Sequence, residues 1–132
     1  MANSINIPIT NFPTGQLIFW NVTAQTAGSY NVILQDASGE NIYFNYTTGT
    51  YQPGKIDILG YGYVAVQSAN LQLVITNTSG SSNFNSKNYS GAYPTDAGMK
   101  NVANNFVCLI EDGTDNDYND IVVEIFGIAA GV

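Results

Sequence analysis

The chain has 132 residues and a net charge of −7, with 3 Lys and Arg residues against 10 Asp and Glu residues, and no His. That length predicts a single domain, residues 1–132, that is large enough to bury a hydrophobic core. The excess of negative charge disfavours binding to nucleic acid or to anionic membranes, because both attract basic protein surfaces. The lack of His excludes Ser-His and Cys-His nucleophilic catalysis.

The chain has no run that approaches the roughly 20 apolar residues of a membrane-spanning helix. Its first residues, Met-Ala-Asn-Ser-Ile-Asn-Ile-Pro, lack the basic and apolar regions of a secretory signal peptide. The sequence predicts a soluble protein without a classical signal peptide, either cytoplasmic or exported by a non-classical route. The single cysteine, Cys108, cannot form an intramolecular disulfide and is predicted to be a buried core thiol.

Short runs rich in β-branched and aromatic residues follow one another along the chain, separated by Gly, Pro, Asn and Ser. In chain order, the predicted strands are residues 4–9, 17–23, 29–35, 41–47, 55–59, 61–67, 71–77, 105–110 and 120–128. No stretch has the pattern of an amphipathic helix. The sequence therefore predicts an all-β protein, an antiparallel sandwich or barrel.

Three of these segments carry further predictions. Residues 17–23 place apolar side chains on both faces, which predicts a strand that is covered on both sides. Residues 71–77 alternate and predict a half-buried strand, whose Val74 could meet a partner. Residues 78–103 are dominated by Ser, Asn, Gly and Tyr, and we expect a long loop or a pair of weak hairpins there.

The most informative segment is residues 111–120, which contains five of the 10 acidic residues, while no Lys or Arg follows Lys100. Its acidic members are Glu111, Asp112, Asp115, Asp117 and Asp120. Carboxylates crowded into one segment repel one another, and a divalent cation is the simplest counter-charge. Ca²⁺ fits best because it accepts about six to eight oxygen ligands in irregular loops, whereas Mg²⁺ requires a strict octahedron. The lack of His and the single Cys disfavour zinc and copper.

A solvated loop and an EF-hand both account less well for the acidic segment. A solvated loop would not be expected to contain regularly placed Gly and Asn residues and to lead directly into the apolar strand 121–125. An EF-hand that starts at Asp115 would need Gly at its sixth position and Glu at its twelfth, where this chain has Asp120 and Phe126.

The sequence of residues 105–125 closely resembles the signature of the calcium-dependent fucose/mannose-binding soluble lectins of bacterial type. The run Glu-Asp-Gly-Thr-Asp-Asn-Asp-Tyr-Asn-Asp is the same in that family. A weaker resemblance covers residues 29–34 and 71–77, and relative to that pattern residues 78–103 look like an insertion. The resemblance implies a nine-stranded, jelly-roll-like β-sandwich with two adjacent Ca²⁺ ions, to which the hydroxyl groups of a monosaccharide bind directly.

The resemblance also implies roles for individual residues. The implied metal ligands are Glu111, Asp115, Asp117, Asn119 and Asp120. The implied sugar contacts are Asp112, Asp115, Asp117 and Asn119. Asn21 is the candidate for a further Asn ligand that the family carries in an early loop. Val22 and Thr23 are candidates for the loop that tunes sugar preference there, but they do not match the family's small polar triplet, so the choice between fucose and mannose is not predicted.

The family completes its site with a C-terminal Gly carboxylate from a neighbouring subunit. This chain ends Ala129-Ala130-Gly131-Val132, so either Val132 supplies that carboxylate or the ligand from the second subunit is missing. The implied partners are fucosylated or mannosylated glycans and further copies of the chain, in a homodimer or larger assembly.

Two competing functions follow from the same residues. The sequence Asp-Tyr-Asn-Asp before an apolar strand also resembles repeats of large bacterial surface proteins, which would make the chain a calcium-stapled interaction module without sugar binding. A glycosidase would need two carboxyl groups about 5 to 9.5 Å apart, across the scissile bond. Carboxylates that are neutralised by calcium are poor bases, so the sequence predicts that the protein is not an enzyme.

Overall fold

A computed structural model describes residues 3–79, 83–94, 101–113 and 116–129. Every regular element in these residues is a β-strand, and none of them forms a helix that is long and apolar enough to cross a membrane. In chain order the strands are β1 (Asn3–Ile9), β2 (Leu17–Ala24), β3 (Tyr30–Asp36), β4 (Ile42–Thr47), β5 (Asp57–Ala65), β6 (Leu71–Asn77), β7 (Asn85–Pro94), β8 (Asn101–Glu111) and β9 (Ile121–Ile128). The predicted all-β fold is confirmed.

The strands form two antiparallel sheets. One sheet has four strands in the order β1-β6-β3-β4, and the other has five in the order β5-β2-β9-β8-β7. Alternate residues of β2, β3, β6 and β9 are buried, as expected for strands with one face on a core. The largest fully buried side chains include Ile18, Leu34, Leu73, Ile75 and Ile125. Each contributes about 1.5 to 3 kcal/mol by leaving water, so the buried faces of the two sheets hold the sandwich together.

Strand β5 is one element where the sequence predicted two. Gly60, which suggested a break, lies within β5 opposite Val22, next to a shift of register between Val22 and Thr23. A Cβ atom at Gly60 would overlap the ring of Tyr46. The glycine is therefore needed for close packing of a side chain from the other sheet, and does not end the strand.

The segment 78–103 forms more regular structure than a long loop. Strand β7 pairs with β8 over ten residue pairs, from Asn85 opposite Glu111 to Pro94 opposite Asn101. The expectation of a loop was wrong for residues 85–94, and a single hairpin replaces the expected pair. Its Ser, Asn and Gly residues have low strand propensity, but pairing along β8 compensates for this, and polar side chains are common on an edge strand.

Among the residues that the structure describes, strand β2 is covered on one side only. Ile18, Trp20 and Val22 are buried between the sheets, whereas Phe19 and Asn21 face outward and are exposed. The sequence had predicted cover on both faces, and the described part of the chain provides it on one face.

Candidate functional site

The acidic segment connects β8 to β9, which are neighbours in the five-stranded sheet. Glu111 is the last residue of β8, Asp120 comes directly before β9, and the pairing of Ile110 with Ile121 brings the two together. Both carboxyl side chains are buried, Glu111 at 2% exposure and Asp120 at 9%. One carboxylate oxygen from each of Glu111, Asp117 and Asp120 lies within 4.8 Å of the other two.

The segment is folded around its own carboxylates. Glu111 accepts hydrogen bonds from the backbone N–H of Gly113, at 2.8 Å, and from that of Tyr118, at 3.0 Å. Asp120 accepts one from the backbone N–H of Asp112, at 2.7 Å. Tyr118 has a φ of 53°, a left-handed conformation that is rare for a bulky residue and is typical of strained functional sites. The loop is therefore held in a conformation that gathers negative charge.

This arrangement resists ionisation of Asp120. Burial is the main cause that raises the pKa of Asp120, to about 8, and the nearby carboxyl groups of Glu111 and Asp112 raise it further. The N–H of Asp112 acts in the opposite direction but is outweighed. A bound cation reverses this balance, because it stabilises the charged form of each carboxylate. The donor set consists of oxygen atoms, which suits a hard cation such as Ca²⁺.

A second loop, residues 25–28 between β2 and β3, lies against the acidic segment. The backbone N–H of Gln25 donates to the carbonyl oxygen of Asp120, at 2.9 Å. The Thr26 hydroxyl donates to Oδ2 of Asp112, at 2.9 Å, and accepts from the N–H of Gly28, at 2.9 Å. A Cβ atom at Gly28 would lie 2.9 Å from the same Asp112 oxygen, so the close contact requires glycine.

Asp112 is anchored from the core as well. The hydroxyl of Tyr30, a fully buried residue, donates to Oδ2 of Asp112 at 2.8 Å and accepts from the Asn77 amide at 3.4 Å. Burial, and then the Asp112 carboxylate, raise the pKa of Tyr30 well above its ordinary value, so the phenol stays a donor. Both hydrogen bonds to Asp112 use the same oxygen, Oδ2.

The two loops and the β4–β5 connection enclose a polar groove of about 280 Å³. It is lined by Gln25, Thr26, Ala27, Tyr51, Gly54, Lys55, Asp112, Asp117, Asn119 and Asp120. Lys55 supplies a positive charge to the wall of an otherwise acidic groove. Polar side chains dominate this lining, so the groove suits a small ligand that is rich in hydroxyl groups.

The structure brings together most of the residues that the acidic motif indicated. Glu111, Asp117 and Asp120 form the cluster, and Asp112 and Asn119 line the same groove. The predicted ligands Asp115 and Val132 lie outside the described residues.

The candidates on β2 lie away from this groove. Asn21, Val22 and Thr23 are inside the strand, which continues to Ala24, and Val22 is fully buried. Asn21 pairs with Glu124, three residues beyond the start of β9, and lines a different groove on the outer face of the sheet. The residues that lie beside the acidic segment are instead Gln25, Thr26 and Ala27. The Thr and Gly residues of this turn were the sequence signal that could have indicated this position.

Three solved structures with a similar fold are described as bacterial lectins. The C-terminal domain of the BC2L-C lectin from Burkholderia cenocepacia is similar with a TM-score of 0.64 and 14% identity, over 99% of this chain and 100% of that one. The Chromobacterium violaceum lectin CV2L, solved with α-methyl-fucoside, gives 0.62 and 22%, over 91% and 94%. The Ralstonia solanacearum high-affinity mannose-binding lectin gives 0.60 and 19%, over 91% and 94%. These similarities define the class of fold as a lectin β-sandwich.

Similarity in sequence identifies the family within this class. The family model of fucose-binding lectin II (PA-IIL) matches residues 10–129, so the chain belongs to that family and the predicted resemblance is confirmed. Lectins of this family bind calcium, and the acidic cluster fits that ion. Lectins bind carbohydrate without transforming it. Among curated proteins, none matches this sequence.

Proposed function

We propose that this protein is a calcium-dependent lectin that binds a monosaccharide of the fucose or mannose type directly through Ca²⁺. The observation that carries the proposal is the cluster of Glu111, Asp117 and Asp120, with carboxylate oxygens within 4.8 Å of one another at the edge of a polar groove. Vicinal sugar hydroxyls are neutral oxygen ligands that can replace calcium-bound water. Nearby carboxylates can then accept the hydroxyl protons in hydrogen bonds.

In this proposal each described residue has a distinct task. Glu111 and Asp120 are buried and act as metal ligands, while the more exposed Asp117 and Asn119 contact both metal and sugar. Asp115 completes the ligand set, with two ions in each site. Asp112 uses Oδ2 for Tyr30 and Thr26, which leaves Oδ1 to accept a hydrogen bond from a sugar hydroxyl.

Sugar preference is assigned to the loop that follows β2. Thr26 and Ala27 line the acidic groove, whereas Val22 is in the core and Asn21 faces another surface. Thr26 is held by Asp112, so a substitution there changes both the groove wall and the position of a sugar-binding carboxylate.

If Val132 is a metal ligand, we propose that a second copy of the chain contributes it to the site. Strand β9 leads away from the acidic segment, and its rise from Ile121 to Ile128 is about 23 Å. A homodimer or larger assembly gives a weak monosaccharide site useful avidity.

Affinity chromatography on mannose-agarose and fucose-agarose tests the proposal. We expect the wild type to be retained on at least one resin in Ca²⁺ and to elute with EDTA, and Asp117→Ala to pass through. Glu40→Gln is the matched control, because it removes a negative charge from the exposed turn between β3 and β4 and should not affect retention. Calcium binding by calorimetry without retention on either resin would instead support a calcium-stapled module.

A further inference from the structure

A second, smaller cavity lies beside the acidic groove. It has a volume of about 140 Å³ and is lined by the end of β2, by the loop that follows it and by the β4–β5 connection. We call it the side cavity. Gln25, Thr26, Tyr51 and Lys55 line both the acidic groove and the side cavity, so the two spaces are adjacent and share a wall.

The strand register fixes how far the side cavity extends from the acidic segment. Asp57, the first residue of β5, lines the side cavity and pairs with Ala24 on β2. Ala24 pairs in turn with Ile121, the residue that follows Asp120. Two strand spacings therefore separate Asp57 from Ile121, a distance of about 10 Å. One pyranose ring does not cover that distance, whereas two linked rings can span it.

The β4–β5 connection is held in shape by its own hydrogen bonds. The N–H of Lys55 donates to the carbonyl oxygen of Gln52 at 3.2 Å, and Gly54 has a φ of 77°, as a type II turn requires. The N–H of Gly49 donates to Oδ2 of Asp57 at 3.2 Å, which closes the connection at its base. A ligand that enters the side cavity therefore meets a wall that is already formed, and binding does not incur the full cost of ordering it.

The lining of the side cavity combines apolar and hydrogen-bonding surface. Tyr51 and Ile56 are 47% and 61% exposed and offer apolar surface to the C–H face of a sugar ring. Thr50 and Gln52 supply donors and acceptors for hydroxyl groups. Asp57 uses Oδ2 within the connection, which leaves Oδ1 to accept a hydroxyl proton. This lining suits a neutral sugar better than a lipid or an anion, because the Asp57 carboxylate disfavours both.

We propose that the ligand is a glycan of at least two linked sugar residues, the first in the acidic groove and the second in the side cavity. The inference rests on the proposed function, because the first residue is the one that Ca²⁺ holds. Tyr51 and Lys55, in the shared wall, contact both sugar residues. Gln52 and Ile56 line only the side cavity, so they determine the preference for the second sugar and its linkage.

Calorimetric titration of the full chain in Ca²⁺ tests this inference. The probes are methyl α-fucoside, methyl α-mannoside and a panel of disaccharides with fucose or mannose at the non-reducing end. We expect at least one disaccharide to bind about tenfold more tightly than its matching methyl glycoside, the gain from about two net hydrogen bonds. Ile56→Ser and Gln52→Ala should each weaken binding of that disaccharide about threefold or more, and change binding of the methyl glycoside by less than about twofold. Both side chains are exposed, so the variants should keep the wild-type circular dichroism spectrum.

Ile42→Ser is the matched control for Ile56→Ser, because Ile42 is 58% exposed on β4 and lines neither space. It should bind every probe as the wild type does. A wild type that binds a methyl glycoside but no disaccharide more tightly overturns the inference and leaves the proposed function supported. A disaccharide whose advantage survives both Ile56→Ser and Gln52→Ala also overturns the inference, since its second sugar then lies elsewhere. Absence of binding to every probe contradicts the proposed function and this inference together.

Discussion

Replacing Asp120 with Asn removes one charge from the buried part of the acidic cluster and preserves its shape. Asn keeps an oxygen that can accept the 2.7 Å hydrogen bond from the Asp112 N–H, and its amide can donate to Glu111. The metal-free wild type must either hold two buried carboxylates close together or take up a proton at neutral pH, and both cost free energy. Asp120→Asn avoids this cost.

The expected size of the effect follows from the separation of the carboxylates. Two unit charges at 4.8 Å, the upper limit within the cluster, repel by about 3.5 kcal/mol at an effective dielectric constant of about 20. We therefore expect Asp120→Asn to be about 2 to 3 kcal/mol more stable than the wild type in EDTA. For 132 residues the unfolding entropy is about 0.3 kcal/mol per degree, so Tm should rise by about 7 to 10 °C.

Calcium should remove most of the difference in stability between the two proteins. Binding stabilises the wild type by RT ln(1 + [Ca]/Kd), about 2.7 kcal/mol at a hundredfold excess, which is about 10 °C. Asp120→Asn should lose most of that gain because it loses a ligand. Differential scanning calorimetry with and without EDTA measures both effects, and Glu40→Gln should stay within about 0.5 kcal/mol of the wild type in each. Lower stability of Asp120→Asn in EDTA, or an unchanged response to Ca²⁺, would refute the reasoning.

Three further predictions concern the core and the supports of the site. Tyr30→Phe removes a donor to Asp112 and should cost about 1 to 3 kcal/mol in chemical denaturation; an unchanged midpoint contradicts this. Gly60→Ala places a Cβ atom into the Tyr46 ring and should cost about 1 to 3 kcal/mol, whereas a stable variant would show that the ring can move. Burial raises the pKa of Cys108 to about 12, so a thiol reagent at pH 8 should label it only after unfolding, and rapid native labelling would contradict its burial.

The fold was largely predictable because most of its strands have clear apolar alternation bounded by turn residues. Gly60 misled the prediction, since its role is to admit the Tyr46 ring and only the packing of the two sheets makes that visible. Strand β7 was missed because Ser, Asn and Gly carry little strand signal, and its pairing with β8 is a tertiary effect.

The acidic half of the site was predictable because its residues are contiguous in the chain. Glu111, Asp117 and Asp120 meet through the β8–β9 connection. The opposite wall of the groove was harder to predict, because the exact end of β2 decides which residues reach that wall. The strand runs to Ala24, so Thr26 faces the groove instead of Thr23. A shift of this size along a strand changes which side chains face a site.

Calorimetric titration of methyl α-fucoside and methyl α-mannoside into the wild-type protein, in Ca²⁺ and in EDTA, tests the central claim most directly. We expect saturable binding of at least one sugar with one site per chain in Ca²⁺, and no binding in EDTA. Absence of binding of both sugars in Ca²⁺, or equal binding after chelation, would contradict a lectin that holds its sugar through calcium.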